Sequence, residues 1–237
     1  MQKNHKYTIE QEVQCGDCIC PPPCALLTSN NVYHMKEGQT QIGKLEEDSN
    51  FLCRCICFPG ARTSNNKITI NGNQYISEKN FRLGYFINWF CCSRPDVIVK
   101  KGDKVVGSVE MPCYPQFVCT LQVNCYKGSE RTESNLLWTI KKCACNCHNL
   151  FGKSCGCCCD AAKYLDFEVI AGPAANGKVG HLQKEHFGVV NECFTMADKY
   201  NVNFASEDDD EKAIFLSAIQ FIDMLYFESN YMGSGSI

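Results

Sequence analysis

This sequence has no excess of either charge. Its 23 Lys+Arg and 26 Asp+Glu leave a formal net charge of −3, so no field draws the chain to nucleic acid. It also lacks a catalytic constellation. There is no Gly-x-Ser-x-Gly, and Gly152-Lys153-Ser154 resembles the end of a phosphate loop whose upstream glycine position holds Cys147. His181 and His186 lie on either side of Glu185 without the spacing of a zinc peptidase helix. No nucleophile stands beside a base, and the chain reads as a protein that is not an enzyme. No apolar h-region follows Met1 and no Asn-x-Ser/Thr occurs, so a chain facing the cytosol, without a signal peptide, is expected.

Long apolar runs are missing too. The longest, Ala213 to Phe227, is interrupted by Gln220 and Asp223, and its about 15 residues fall short of the about 20 of a bilayer span. Ile214, Ala218, Phe221 and Leu225 form one stripe, and Phe215, Ile219, Ile222 and Tyr226 the next. Together they exceed the face that a surface helix buries. Such a helix is either the centre of a core or a membrane anchor. Its length and Asp223 favour the core, because a charge at mid-bilayer is costly.

The abundant residue is cysteine, 20 in 237. In a cytosolic chain thiols stay reduced, which leaves metal ligation, lipidation or buried packing. Cys143, Cys145 and Cys147 alternate on one strand face, and a turn near Asn149–Lys153 would bring Cys155 and Cys157 opposite. A zinc-thiolate site there, with or without His148, is geometrically possible but matches no standard knuckle. Cys91-Cys92 follow the aromatic run Phe86–Phe90, which suits a membrane interface. They are either acylation sites or two buried thiols at a strand end.

Between these features the chain reads as hairpins. Lys67–Ile70 and Gln74–Ser77 flank Asn71-Gly72, whose residues both tolerate positive φ. Val32–Lys36 pairs with Gln41–Leu45, Asp96–Val99 with Val105–Val109, Phe117–Val123 with Leu136–Lys142, and Leu165–Ala171 with Gly177–Gln183. Some ten short strands predict an antiparallel sandwich or barrel. A barrel enclosing the apolar helix satisfies both patterns. The expected organisation is a Cys- and Pro-containing tail over 1–30, one domain over 31–228 with a central helix at 212–227, and a tail over 229–237.

Before the helix, Asp198, Asn201, Asn203 and Glu207 place oxygen side chains at intervals suited to calcium, without the Asp-x-Asp-x-Asp-Gly of an EF-hand. Glu207–Glu211 is either part of that site or a solvated run favouring the helix N-terminus.

Asp166-Phe167-Glu168-Val169, Gly177-Lys178-Val179-Gly180, Glu192-Cys193-Phe194-Thr195-x-Ala197-Asp198 and Phe221-Ile222-Asp223-Met224-Leu225-Tyr226-Phe227-Glu228 occur in that order, after Met111-Pro112-Cys113-Tyr114-Pro115-Gln116-Phe117. The series resembles the phospholipid scramblase family over roughly Asn31 to Glu228. The resemblance implies a closed twelve-stranded antiparallel barrel around a C-terminal helix, related to the tubby-like fold. It implies calcium-stimulated, ATP-independent movement of phospholipids between leaflets by a protein on the cytosolic face of the plasma membrane. It marks Met196–Glu207 as a calcium loop, with Asp198 and Glu207 as carboxylates and Tyr200 and Val202 as carbonyl donors. Met196 stands where the family has Asp, so binding is expected to be weak. The family's longer acylated cysteine run is reduced here to Cys91-Cys92. The alternative function is a soluble tubby-like module that binds lipid or protein without transporting anything.

Overall fold

The structure, a computed structural model, describes residues 5–12, 31–48, 63–80, 95–112, 120–143, 164–175, 180–185, 199–204 and 206–226. Twelve strands follow in chain order: β1 (His5–Gln11), β2 (Val32–Glu37), β3 (Thr40–Asp48), β4 (Ser64–Ile70), β5 (Asn73–Lys79), β6 (Asp96–Lys101), β7 (Lys104–Glu110), β8 (Thr120–Lys127), β9 (Leu136–Cys143), β10 (Tyr164–Ala171), β11 (Gly180–Glu185) and β12 (Lys199–Phe204). One helix, α1 (Asp209–Tyr226), follows them. Each strand pairs antiparallel with its sequence neighbours, and β1 pairs with β12 to close the barrel. The expected fold class is the observed one.

Alternation makes the wall two-faced. β4 runs strictly buried-exposed from Ser64 to Ile70, as a strand with one face on a core must. The β4–β5 turn holds Asn71 at φ 48° and Gly72 at φ 83°, the left-handed pair whose twist matches a two-residue hairpin. Outward positions carry ion pairs across strands: Lys36 with Glu10 at 2.6 Å, Lys100 with Glu78 at 2.6 Å and Lys199 with Glu185 at 3.3 Å. A lipid-facing barrel shows an apolar band outside, and this wall shows paired charges. No helix among the described residues is long and apolar enough to cross a membrane.

The inward face is filled by α1. Residues 211–225 are all buried, and Ile214, Phe215, Leu216, Ile219, Phe221, Ile222 and Met224 are fully so. Each such side chain contributes about 1.5–3 kcal/mol on leaving water. Phe215 meets Trp138 of β9 edge to face, centroids 5.9 Å apart. The helix leans on β4–β8. There Gly107 of β7 allows the approach: a Cβ at that position would lie 2.3 Å from Ile214 Cδ1 and 2.7 Å from the Tyr126 carbonyl oxygen.

Two expected boundaries change. Residues 1–30 are not wholly a tail, because His5–Gln11 forms β1 and closes the barrel between β2 and β12. The helix begins at Asp209, earlier than the expected residue 212, because Asp208 caps it. The Asp208 Oδ1 accepts from the Asp210 N–H at 3.0 Å, and its carbonyl accepts from the Lys212 N–H at 3.0 Å. That is the work of an N-cap residue.

Candidate functional site: the enclosed helix and its two ends

Antiparallel pairing all round the barrel sends alternate connections to opposite rims. The helix starts at the rim that carries the turns 38–39, 71–72 and 102–103. Its acidic first turn is fastened to those turns rather than left in solvent. The Asp209 carboxylate accepts from Asn71 Nδ2 at 2.8 Å and Asn73 Nδ2 at 3.0 Å. Asp210 accepts from the Tyr75 hydroxyl at 2.8 Å and lies 3.6 Å from Lys101 Nζ. Glu211 is buried, accepts from the Ser206 hydroxyl and lies 3.8 Å from Lys127 Nζ. Burial and the neighbouring Asp210 carboxylate push the Tyr75 phenol well above its usual range, so it stays a donor.

Glu207, exposed just before the helix, faces His5. The imidazole meets Glu37 at 2.6 Å through Nδ1 and Glu207 at 3.3 Å through Nε2. Hydrogen bonding to Glu37 first, and to Glu207 after partial burial is offset, raises the His5 pKa above 6.5. Tyr7 stacks beside it with ring centroids 6.0 Å apart, and burial pushes its phenol up to about 12.

The other end of α1 is held by a buried polar network. Asp223, on an otherwise apolar stretch, accepts from the Tyr33 hydroxyl of β2 at 2.5 Å and the Tyr200 hydroxyl of β12 at 2.7 Å. Lys184 of β11 lies 3.5 Å from Asp223 Oδ1, and its ammonium sits 5.6 Å from the Tyr200 ring centroid. One turn earlier Gln220 accepts from Asn66 Nδ2 of β4 at 3.1 Å. The interior at this end is polar along seven adjacent strands, from Lys184 and Tyr200 through Gln11, Tyr33 and Glu47 to Asn66 and Ser77.

The residues expected to bind calcium fall as follows. The segment read as a loop contains strand β12, paired on both edges: Tyr200 lies opposite Ile9 and Lys184, and Val202 opposite Tyr7 and Leu182. Both side chains point inward. Asn201 and Asn203 alternate with them. Glu207 follows β12 at the helix-start rim, whereas Lys199 begins β12 at the opposite rim. Asp198 and Met196 lie outside the described residues, as do Cys91 and Cys92. Of the zinc candidates Cys143 ends β9, and Cys145, Cys147, Cys155 and Cys157 lie outside the described residues. Among the described residues no three His, Cys, Asp or Glu side chains gather as a metal group. Sequence reasoning missed Tyr33, Lys184 and Asn66, whose partners on α1 lie far along the chain; only Asp223 and Gln220, polar within an apolar helix, signalled that partners exist.

Residues 135–229 match the family described as Scramblase. The chain is 26% identical over 205 residues to phospholipid scramblase 1 of Mus musculus, covering 84% of this chain and 56% of that protein. It is 28% identical over 207 residues to phospholipid scramblase 2 of Bos taurus, covering 84% of this chain and 62% of that protein. Phospholipid scramblase 1 of Rattus norvegicus aligns at 26% identity over 205 residues, 84% of this chain and 54% of its own length. The chain thus spans little more than half the length of the curated relatives it matches. No solved structure matches it. Residues 135–229 thus resemble the scramblase family, and the chain is similar to phospholipid scramblases over most of its length.

Proposed function

We propose that this protein moves phospholipids between membrane leaflets without ATP. The observation that carries the reading is the family match over residues 135–229, which spans β9 to the end of α1 and includes Asp166–Val169 and Phe221–Glu228. The named relatives are phospholipid scramblases, and their similarity extends over most of the chain. The test is reconstitution of purified protein into liposomes with fluorescent phospholipid. Dithionite should quench beyond the outer-leaflet half in protein-containing vesicles. Quenching that stops at half, as in empty vesicles, rejects intrinsic transport.

A second reading has its own support. α1 is enclosed and the wall is charged outside, so neither offers a greasy face to lipid. A tubby-like module that binds a membrane surface or a protein without transport fits that geometry. The same liposomes decide, because such a module co-floats with vesicles yet leaves quenching at half.

Membrane attachment is assigned to acyl chains on Cys91 and Cys92, in the connection between β5 and β6. Two chains anchor where one binds only marginally. Replacing both with Ser should move the protein to the soluble fraction; unchanged fractionation without an acyl-exchange signal ends this part of the reading.

Calcium stimulation is assigned to Asp198 and Glu207 with the Tyr200 and Val202 carbonyls. β12 holds Lys199 and Glu207 at opposite rims and pairs both carbonyl-bearing residues on two edges, so ligation by this set requires β12 to come apart. Affinity on the order of 10⁻⁴–10⁻³ M is expected. Calorimetry should show tighter binding in Met196→Asp and weaker binding in Asp198→Ala; equal affinity in wild type and Asp198→Ala moves the ion elsewhere.

A further inference from the structure

Inside the barrel, four neighbouring side chains carry polar atoms without a hydrogen-bond partner: Ser64 Oγ, Asn66 Oδ1, Ser77 Oγ and Gln220 Nε2. They belong to one patch. Asn66 of β4 is directly opposite Ser77 of β5, Ser64 is the next inward residue of β4, and Gln220 of α1 bonds to Asn66. All four are at least 98% buried, with exposures of 2%, 0%, 0% and 1%.

The orphaned atoms do not follow from the way the amides are turned. Asn66 donates Nδ2–H to Gln220 Oε1. If both amides are turned over, Gln220 donates to Asn66 instead, and one carbonyl oxygen and one NH₂ group still lack partners. A buried polar group without a partner costs about 1–3 kcal/mol. Four in one patch would be a large debt for a fold whose other interior groups at this end are paired: Asp223 has two tyrosine hydroxyls and a lysine, and Glu47 accepts from Asn31 at 2.8 Å.

We propose that Ser64, Asn66, Ser77 and Gln220 enclose an internal water site between α1 and the β4–β5 hairpin. The chemistry selects the guest. The four groups are formally neutral and mix donors with acceptors: each hydroxyl does both, the Asn66 oxygen accepts and the Gln220 nitrogen donates. The buried charges paired opposite them, Lys79 across from Ser64 and Glu47 across from Asn66, are of opposite sign and leave no net charge for an ion to balance, whereas a water bonds to about three neutral groups at once. The site also explains a pattern along α1. Gln220 faces β4 while Asp223, one turn on, faces β2, β11 and β12. Water under Gln220 continues the polar lining between these two contacts.

Nuclear Overhauser spectra of the full chain test the proposal directly. Magnetisation should pass from water to the Asn66 and Gln220 side-chain amide protons with the sign of a water held longer than about a nanosecond. The nearly isosteric double variant Asn66→Leu, Gln220→Met supplies the second readout. Removing polar groups from a dry patch leaves stability equal or raises it, whereas removing the partners of a bound water lowers it. The expected result is both signals in wild type and a thermal midpoint lower by about 2–4 °C in the variant. Absence of both wild-type signals, or a variant at least as stable as wild type, overturns the proposal. The wild-type spectrum decides alone if the variant does not fold.

Discussion

The two ends of the barrel hold the same helix in opposite ways. At the rim where α1 starts, three hairpins close in two residues, and the carboxylates of Asp209 and Asp210 reach Asn71, Asn73 and Tyr75 in partly exposed bonds. At the far end the grip is buried: Asp223 is 2% exposed and meets groups from three strands. Cysteine divides the same way. Every cysteine except Cys125 of β8 either ends β9, as Cys143 does, or falls between strands whose ends lie on that far rim, in connections 12–31, 49–63, 80–95, 111–119, 144–163 and 186–198. The connections that follow strand ends on the helix-start rim hold no cysteine in the sequence, and those that follow strand ends on the far rim hold nearly all of it.

The comparison breaks if the buried grip is not the stronger one. Asp223→Ala removes the carboxylate facing Lys184 and two tyrosine hydroxyls deep inside, and should cost about 3–5 kcal/mol in denaturant unfolding. A loss under about 1 kcal/mol would mean the far end is held by packing alone. Gly107→Ala tests the wall that α1 leans on. The added methyl meets Ile214 and the Tyr126 backbone, and overpacking of this kind costs about 1–3 kcal/mol. If thermal unfolding shows no loss, β7 and α1 can part without harm.

At the exposed rim the effects shrink. Asp208→Ala removes a helix cap and should cost about 1 kcal/mol, with Asp208→Asn restoring most of it. The smallest effect is pH dependence at His5. Its pKa is raised by Glu37 and Glu207, so its stabilising contact is complete below about pH 6.5 and fades as pH rises through the higher folded value. The His5 ring protons should titrate above 6.5, and His5→Gln should be less stable than wild type mainly on the acid side. A wild-type titration at or below 6.5 would detach Glu37, and with it Glu207, from His5.

Local signals carried the hairpins and the helix into view. Asn71-Gly72 and Lys100–Lys104 name their turns through residues that tolerate positive φ, and the apolar stripes of α1 state that it is enclosed. Closure was expected from the family resemblance and not from the strands that make it. β1 finds its partners in β2 and, across most of the chain, in β12, and seven residues beside a Cys- and Pro-containing stretch carry no mark of that distant pairing. β12 was obscured by a coincidence of period. Oxygen side chains at Asn201 and Asn203 suit ion ligation, but they are also the outward half of a strand whose inward half is Tyr200 and Val202. The acidic run Glu207–Glu211 read as solvent-facing charge or cation ligands because its asparagine, tyrosine and lysine partners come from turns far upstream. The polar patch around Gln220 needed three elements together before any pairing could be seen.

Closure between residues 5–10 and 199–204, followed only afterwards by α1, has a consequence for how the chain is made. A ribosome that has delivered Lys199 has supplied eleven strands and neither the seam nor the core. The last strand must find the first across nearly the whole polypeptide, and pairings so distant form slowly. Until Asp209–Tyr226 emerges, the inward faces of the wall have nothing to enclose, and apolar surface stands open to other chains. The barrel is therefore most exposed just before α1 is delivered, and that helix converts an open, adhesive sheet into a closed and filled one.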